Sequence, residues 1–388
     1  MSPTDLKTAP APSSDLASAG AILTVDLDAV AANYRQLQSY APGAEVAGVV
    51  KANAYGLGLA PVVRTLADAG CKTFFVADAT EGVALRAALP EATIYVTNGL
   101  AANAAGAYRG HGLRPCLASL GEIKDWRREA KAAGRRLPAA LHFDTGMSRL
   151  GLIGEEAALV LADRSRLDGI EVSLVMSHLA CSDEAGHPLN ARQLARFKTI
   201  RAAFPGTPAS FANSSGILLG PEYHFDLVRP GYGLYGGTPF EGKPNPFRPT
   251  VKAEARVLQV RDVAEGETAG YGATWEAKGV RRLAVLSVGY ADGYFRRLSS
   301  SAGGGRVWLG GQYAPVAGRV SMDLLIVDAT GIPEGKVRRG DLAELIGPHV
   351  SLDEVANRAG TIGYEVLTSL GERYKRLYTG KTAAAAES

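Results

Sequence analysis

Lys51 ends an apolar run, VAGVVK, at residues 46–51. An ammonium at the end of a buried strand loses hydration, which favours the neutral amine and lowers its pKa. A neutral amine is a base, and it is also the nucleophile that condenses with an aldehyde. The following ANAYGLG supplies small residues and Tyr55, leaving backbone room beside the amine for a bulky ligand. Three further regions carry reactive groups. HFDTGMSRLG places His142, Asp144 and Arg149 close together, and SHLACSDE offers His178 and Asp183. FANSSGI and VRPGYGLYG offer the hydroxyls of Ser214 and Ser215, the guanidinium of Arg229, and backbone N–H groups opened by Gly231 and Gly233. Hydroxyls beside glycine-opened N–H groups make a phosphate cradle. Taken singly, each residue also reads as structure: a lysine snorkelling out of a fold, or a satisfied core histidine.

The elements between these residues decide whether they can meet. Short β-branched apolar runs occur at 46–50, 73–78, 93–97, 113–118, 139–144, 169–177, 209–213 and 225–230. Helix-like amphipathic segments such as APVVRTLADAG and LGEIKDWRREAKAAG separate them. Eight strands alternating with helices over this length predict an α/β fold, a (β/α)8 TIM barrel. Such a barrel presents its site at the C-terminal strand ends, with phosphate near strands seven and eight. Lys51 then follows strand one, His142 and Arg149 mark strand five, His178 follows strand six, and the cradle lies at strands seven and eight. After about residue 245 the texture changes to short alternating strands with tight Gly turns, a mainly β second domain. The expected division is a disordered leader at 1–20, a barrel at 21–245 and a β-rich domain at 246–388, with the tail KTAAAAES frayed.

Composition narrows the chemistry. A chain of 388 residues exceeds the roughly 250–300 at which one core stops growing, so two domains are the expectation. With 42 Lys plus Arg against 39 Asp plus Glu, no basic field invites nucleic acid. No apolar stretch reaches the ~18 residues of a membrane span, and the N-terminus lacks the apolar run of a signal peptide. Cys71, Cys116 and Cys181 are odd in number and far apart, without a CxxC pair, which argues against a disulfide scaffold or a zinc site. A cytoplasmic enzyme without a metal, acting on a small molecule, is expected. A lysine opposite a phosphate cradle, with an arginine just before that cradle, implies pyridoxal 5′-phosphate. An arginine facing the ring nitrogen donates a hydrogen bond and does not readily give up its proton, so the ring is a weaker electron sink. That favours proton transfer over transamination.

These segments resemble those of the bacterial alanine racemases over about residues 22–378. VVKANAYGLG, HFDTGMSRLG, SHLACSDE, ANSSG, VRPGYGLYG, AGYGATW, VGYADGYFRRL, GRVSMDLLIVD and IGYEVLTSLGERY occur in the family's order. The resemblance implies a fold type III pyridoxal-phosphate enzyme, a homodimer with shared active sites that interconverts L-alanine and D-alanine and supplies D-alanine for peptidoglycan. It implies that Lys51 carries the cofactor and serves as the base on the D-alanine side. Tyr271, reaching the partner subunit's barrel, is then the opposing base. A free tyrosine titrates near pH ~10, so its phenolate needs help; in the family that help comes from the residue matching His178, in contact with the one matching Arg229. Arg149 is expected to bind the cofactor's phenolic oxygen and the substrate carboxylate, with the backbone N–H of the partner subunit's Met322 as a second carboxylate donor. The resemblance assigns the phosphate to Tyr55, Ser214, Tyr364 and the backbone of Gly231 and Tyr232. Asp183 and Tyr290 join Tyr271 and Tyr364 as a polar gate.

At one position the chain departs from the pattern. Many family members carry a carbamylated lysine that orients the arginine matching Arg149, and here that position is His142. A neutral imidazole lacks the anion, so Arg149 is expected to be positioned without carbamylation. The nearest competing readings are an amino-acid decarboxylase and a non-catalytic cofactor carrier. Decarboxylases that resemble this chain use a carboxylate at the ring nitrogen and a second-domain cysteine, whereas here Arg229 takes that place and no cysteine follows Cys181. A carrier resembles a single barrel and has no second domain bearing Tyr271.

Overall fold

Chain pairing over more than two hundred residues decides the architecture of this protein, seen in a computed structural model that describes residues 14–240 and 242–380. The chain divides into two compact units. Among the described residues, one joins 14–25 with Val251–Leu377, and the other comprises Asp26–Thr250 with 378–380.

The strands, numbered along the chain, begin with β1 (Ala21–Asp26). In the Asp26–Thr250 unit they continue as β2 (Glu45–Val46), β3 (Gly48–Val49), β4 (Thr73–Val76), β5 (Thr93–Val96), β6 (Leu113–Leu117), β7 (Leu137–His142), β8 (Ile170–Met176), β9 (Ala209–Ser210) and β10 (Leu227–Val228). Their order in the parallel sheet is β2-β10-β9-β8-β7-β6-β5-β4-β3. β2 and β3 are halves of one strand interrupted at Ala47. The first half pairs with β10 and the second with β4, and the Ala47 N–H reaches the Val228 carbonyl at 2.9 Å. The ring therefore closes on eight strands, a (β/α)8 barrel, and each of the eight apolar runs in the sequence overlaps one of them.

Ala47, Phe75, Tyr95, Cys116, Ala140, Leu174, Met176 and Leu227 form one buried cluster from successive strands, with Phe75 and Tyr95 stacked at 5.0 Å. Small residues stand beside large ones in this cluster, as close packing of a barrel interior requires. Helix starts are fixed by side chains that satisfy the first free N–H groups. Asp26 accepts from Ala29 N–H ahead of helix Leu27–Tyr40, Asp78 caps helix Ala79–Ala88, Ser119 caps helix Leu120–Ala133, and Asn213 caps helix Ser214–Leu219.

The other unit is mainly β. Its strands are β1, β11 (Val251–Val263), β12 (Thr268–Ala269), β13 (Trp275–Glu276), β14 (Arg281–Leu286), β15 (Arg306–Leu309), β16 (Gln312–Pro315), β17 (Leu325–Asp328), β18 (Leu342–Ile346) and β19 (Tyr374–Thr379). The main sheet runs β16-β15-β18-β11-β1-β19, with β14 on β11 and β17 on β14. β12 and β13 form a separate hairpin whose tip holds Tyr271.

Two expectations change here. Residues 21–25, read as the start of the barrel, belong to the second unit: Ala21–Val25 pairs antiparallel with Val251–Ala255. The barrel unit in turn extends to Thr250, whose hydroxyl donates to the Tyr235 carbonyl at 2.8 Å. The leader is also shorter than its composition suggests. Ser14–Ser18 is helical, and Arg256 donates to the carbonyls of Leu16 and Ala19, each at 2.9 Å. The rest of the expected leader and the tail from 381 lie outside the described residues. Cys71, Cys116 and Cys181 are all unpaired. Among the described residues no helix is long and apolar enough to cross a membrane.

Candidate active site

Lys51 emerges from β3 into a turn of unusual hand. Ala52, Asn53, Ala54 and Tyr55 have φ between 53° and 55°, so four consecutive non-glycine residues are left-handed. That conformation costs roughly 1–2 kcal/mol per residue, and surrounding structure must offset it. Ala54 N–H donates to the Val50 carbonyl at 2.9 Å and Gly56 N–H to that of Ala52 at 2.8 Å. The Asn53 side chain accepts from Leu59 N–H at 2.7 Å, and a Glu81 carboxylate oxygen accepts from Ala52 N–H at 2.6 Å. Tyr55 is buried and stacks on Tyr235 at 4.6 Å. The turn leaves Lys51 solvent-accessible at the C-terminal mouth of the barrel yet hemmed in by protein. Desolvation lowers its pKa, the positive charge of Arg149 adds to that, and Glu81 opposes it.

At the end of the neighbouring strand β10, Arg229 is almost fully buried and held on several sides. It donates to the Ser177 carbonyl at 2.7 Å and to the Ser210 hydroxyl, and it lies 3.4 Å from Nδ1 of His178. Since arginine only donates, that contact makes His178 Nδ1 the acceptor and leaves the proton on Nε2. Desolvation, then Arg229 and Arg149, push the His178 pKa well below its ordinary value, so the imidazole is neutral. Burial lowers Arg229 as well, to about 10, which still leaves it protonated at neutral pH.

His142, at the end of β7, is 8% exposed, and its Nδ1 has no hydrogen-bond partner. Burial first, then Arg229 and Arg149, hold its pKa at about 4. An unfolded histidine titrates near 6.5, so above that pH both states are neutral. Between pH 6.5 and 4 the unfolded chain takes a proton that the folded chain refuses, and stability falls as pH falls, by about 3 kcal/mol in all. We expect His142→Asn to lose less stability than the parent between pH 7 and pH 5 in urea titrations. An equal loss in both proteins would remove His142 from this account.

Arg149 rides on an excursion between β7 and the next helix. Asp144 accepts from Gly146 and Met147 N–H at 2.7 and 2.8 Å, and Leu152 N–H returns to the His142 carbonyl at 2.8 Å. Asp144 is thus an organiser of the loop. Arg149 itself donates no hydrogen bond to any described residue and is exposed. Gly151 makes the return possible: its φ is +124°, and a Cβ there would lie 2.5 Å from the Asp144 nitrogen. Gly151→Ala should cost about 2–4 kcal/mol, read as a lower urea midpoint at unchanged slope.

The cradle forms where β9 and β10 end. Ser214 Oγ accepts from Gly231 N–H at 3.1 Å and Gly233 N–H at 3.0 Å, and the Tyr55 hydroxyl occupies the space a Cβ on Gly231 would fill. Tyr232 is buried beside them. Ser215 turns away and donates to the Pro239 carbonyl at 2.8 Å, which leaves it outside the cradle. Lys51, Tyr55, His142, Arg149, His178, Ser214, Arg229, Gly231 and Tyr232 therefore share the strand-end face of one barrel. Asp183 is exposed on the loop after β8.

The remaining candidates sit in the other unit. Tyr271 is 72% exposed at its hairpin tip, and Met322, Tyr290 and Tyr364 are exposed as well. Tyr290 and Met322 are laced together: Tyr290 N–H donates to the Ser321 carbonyl at 3.0 Å and Ala291 N–H to that of Met322 at 3.1 Å. Arg373 secures both strips, bidentate to buried Asp292 at 2.6 and 2.7 Å and to Asp323 at 2.6 Å. Sequence reasoning passed over Ser177, Ser210, Arg373 and Glu81. Only Glu81 left a trace, since Asp78-x-x-Glu81 has the spacing of a helix capping box.

An amine of lowered pKa, a buried guanidinium and a hydroxyl-lined N–H cradle at the strand ends define an enzyme site of the (β/α)8-barrel class. Residues 25–239 match the family model for the alanine racemase N-terminal domain, and residues 250–378 match that for the C-terminal domain. The alanine racemase of Methylobacterium nodulans is 53% identical over 363 residues, covering 93% of this chain and 96% of that protein. A catabolic alanine racemase of Mesorhizobium japonicum is 49% identical over 381 residues, covering 98% and 99%. The crystal structure of alanine racemase from Bartonella henselae with covalently bound pyridoxal phosphate superposes with a TM-score of 0.89 at 43% identity, over 93% of this chain and all of that one. The chain belongs to the alanine racemase family, and it is an enzyme.

Proposed function

We propose that the protein racemises alanine with pyridoxal 5′-phosphate held on Lys51, in a cytoplasmic homodimer whose sites are each completed by the partner subunit's Tyr271. The observation that carries this reading is the setting of Arg229, buried, fixed by Ser177, Ser210 and His178, and facing the same mouth as Lys51 and the cradle. The residues fit the cofactor. Ser214, Tyr55 and the N–H groups of Gly231 and Tyr232 suit its phosphate, Lys51 suits its aldehyde, and Arg229 suits its ring nitrogen. When bound, the group withdraws electrons and acidifies the substrate α-proton.

The chain's own residues then divide the work. The Lys51 amine, its pKa lowered by burial and by Arg149, takes or returns the α-proton on one face. The partner subunit's Tyr271 does so on the other. Neutral His178, with its proton on Nε2, can donate to that phenol's oxygen while Arg229 holds its Nδ1. Arg149 and the N–H of the partner subunit's Met322 bind the substrate carboxylate, Tyr364 adds to the phosphate contacts, and Asp183 and Tyr290 line the entrance. Position 142 is a histidine and offers no lysine amine to modify, so Arg149 works without a carbamate beside it; peptide masses should show none.

The exposure of Tyr271, Tyr290, Met322 and Tyr364 supports a partner surface over them. Mirror-image substrates have equal free energies, so one catalyst serves both directions. We assign it to D-alanine supply for peptidoglycan, tested by whether loss of the gene creates a D-alanine requirement. For the activity itself, purified protein given L-alanine or D-alanine should reach the same equal mixture by chiral chromatography, and borohydride should fix the cofactor on Lys51. Release of an amine with carbon dioxide would instead indicate a decarboxylase.

A further inference from the structure

We propose that Glu81 is a positioning residue for the Lys51 amine, clamping the left-handed turn that presents it. One Glu81 oxygen accepts from Ala52 N–H at 2.6 Å and the other from Ala77 N–H at 2.8 Å. The Ala52 N–H belongs to the peptide unit joining it to Lys51. Ala77 follows the end of β4, the barrel strand that pairs with β3. The carboxylate therefore staples the disfavoured turn to the neighbouring strand end. As the third residue of helix Ala79–Ala88 it would ordinarily bond back to the N–H of the capping residue, Asp78. Asp78 instead caps the helix alone, accepting from Thr80 at 2.8 Å and Glu81 N–H at 3.0 Å, while the Glu81 side chain serves the turn.

Two N–H groups call for two acceptor oxygens, and only a carboxylate offers both. The amide of Glu81→Gln must turn an NH2 toward one of those donors, which slackens the turn. The charged groups facing Lys51 are Arg149, His178 when protonated, and Glu81, so Glu81→Gln also removes the negative member of the set.

The inference rests on Lys51 as the cofactor-bearing amine, and the test separates the two. Full-length Glu81→Gln is compared with the parent and with Asp78→Ala, which weakens the same helix start but leaves the staple intact. With cofactor saturating, kcat for alanine should fall about 10- to 100-fold while KM stays within about threefold, the size of loss expected from a misplaced reacting group. On the cofactor-depleted full chain, the rate of Lys51 acetylation relative to exposed Lys72 should shift to lower pH in Glu81→Gln and not in Asp78→Ala. If Glu81→Gln merely lowers the urea midpoint as Asp78→Ala does, with kcat and the Lys51 acetylation profile unchanged, Glu81 is a helix cap and the proposal fails. If the parent racemises nothing, the substrate reading falls, and the acetylation profiles still decide this one.

Discussion

Lys51→Ala should abolish racemisation, lowering kcat/KM by roughly 10³-fold or more, a loss of at least about 4 kcal/mol of transition-state stabilisation. The reason lies in the double duty of one amine. It anchors the cofactor, so the variant should also lose the colour that borohydride would otherwise fix, and it is the base on one face of the substrate. No alternative stands beside it: among the described residues no other lysine lies within two residues of the C-terminal end of a barrel strand, and a guanidinium is a poor base. A small added amine should restore part of the activity by standing in for the missing side chain. An unchanged rate in Lys51→Ala would overturn the assignment outright.

Tyr271→Phe should be nearly as damaging, by about 10²- to 10⁴-fold in kcat, and asymmetric between the enantiomers. Removing one hydroxyl from a residue exposed at a hairpin tip costs the fold almost nothing, so stability should stay within about 0.5 kcal/mol. The asymmetry is the more telling readout. In deuterated water, exchange of the α-proton should be impaired more from L-alanine than from D-alanine, while Lys51→Ala with an added amine should show the reverse. Equal losses from both enantiomers would mean that the two residues do not guard opposite faces.

Much of this site is legible in the sequence because the barrel's rhythm places strand ends along the chain. Lys51, His178 and the Ser214 and Gly231 segments each follow an apolar run, and a barrel brings all such ends to one face. What stayed hidden depends on partners distant in sequence. Nothing in AILTVD indicates that β1 pairs with Val251–Ala255, some 230 positions on, rather than with the barrel, because alternation sets which face is buried and says nothing of which sheet receives it. The left-handed turn was hidden too, since alanine and tyrosine disfavour the conformation and only surrounding contacts enforce it. Ser177 and Ser210 look like any strand serines until Arg229 is seen lying between them. His142 was visible as a departure, but its neutrality follows from burial beside two guanidinium groups.

The central claim, that Lys51 of one subunit works with Tyr271 of the other, is tested most directly by mixing two inactive proteins. Lys51→Ala and Tyr271→Phe chains, combined in equal amounts and allowed to exchange subunits, form mixed dimers with one intact site apiece. Random pairing makes half of the dimers mixed, so about a quarter of the parent's activity should return. Mixing that yields no activity after subunit exchange has been verified would contradict the account and place both residues' chemistry within a single chain.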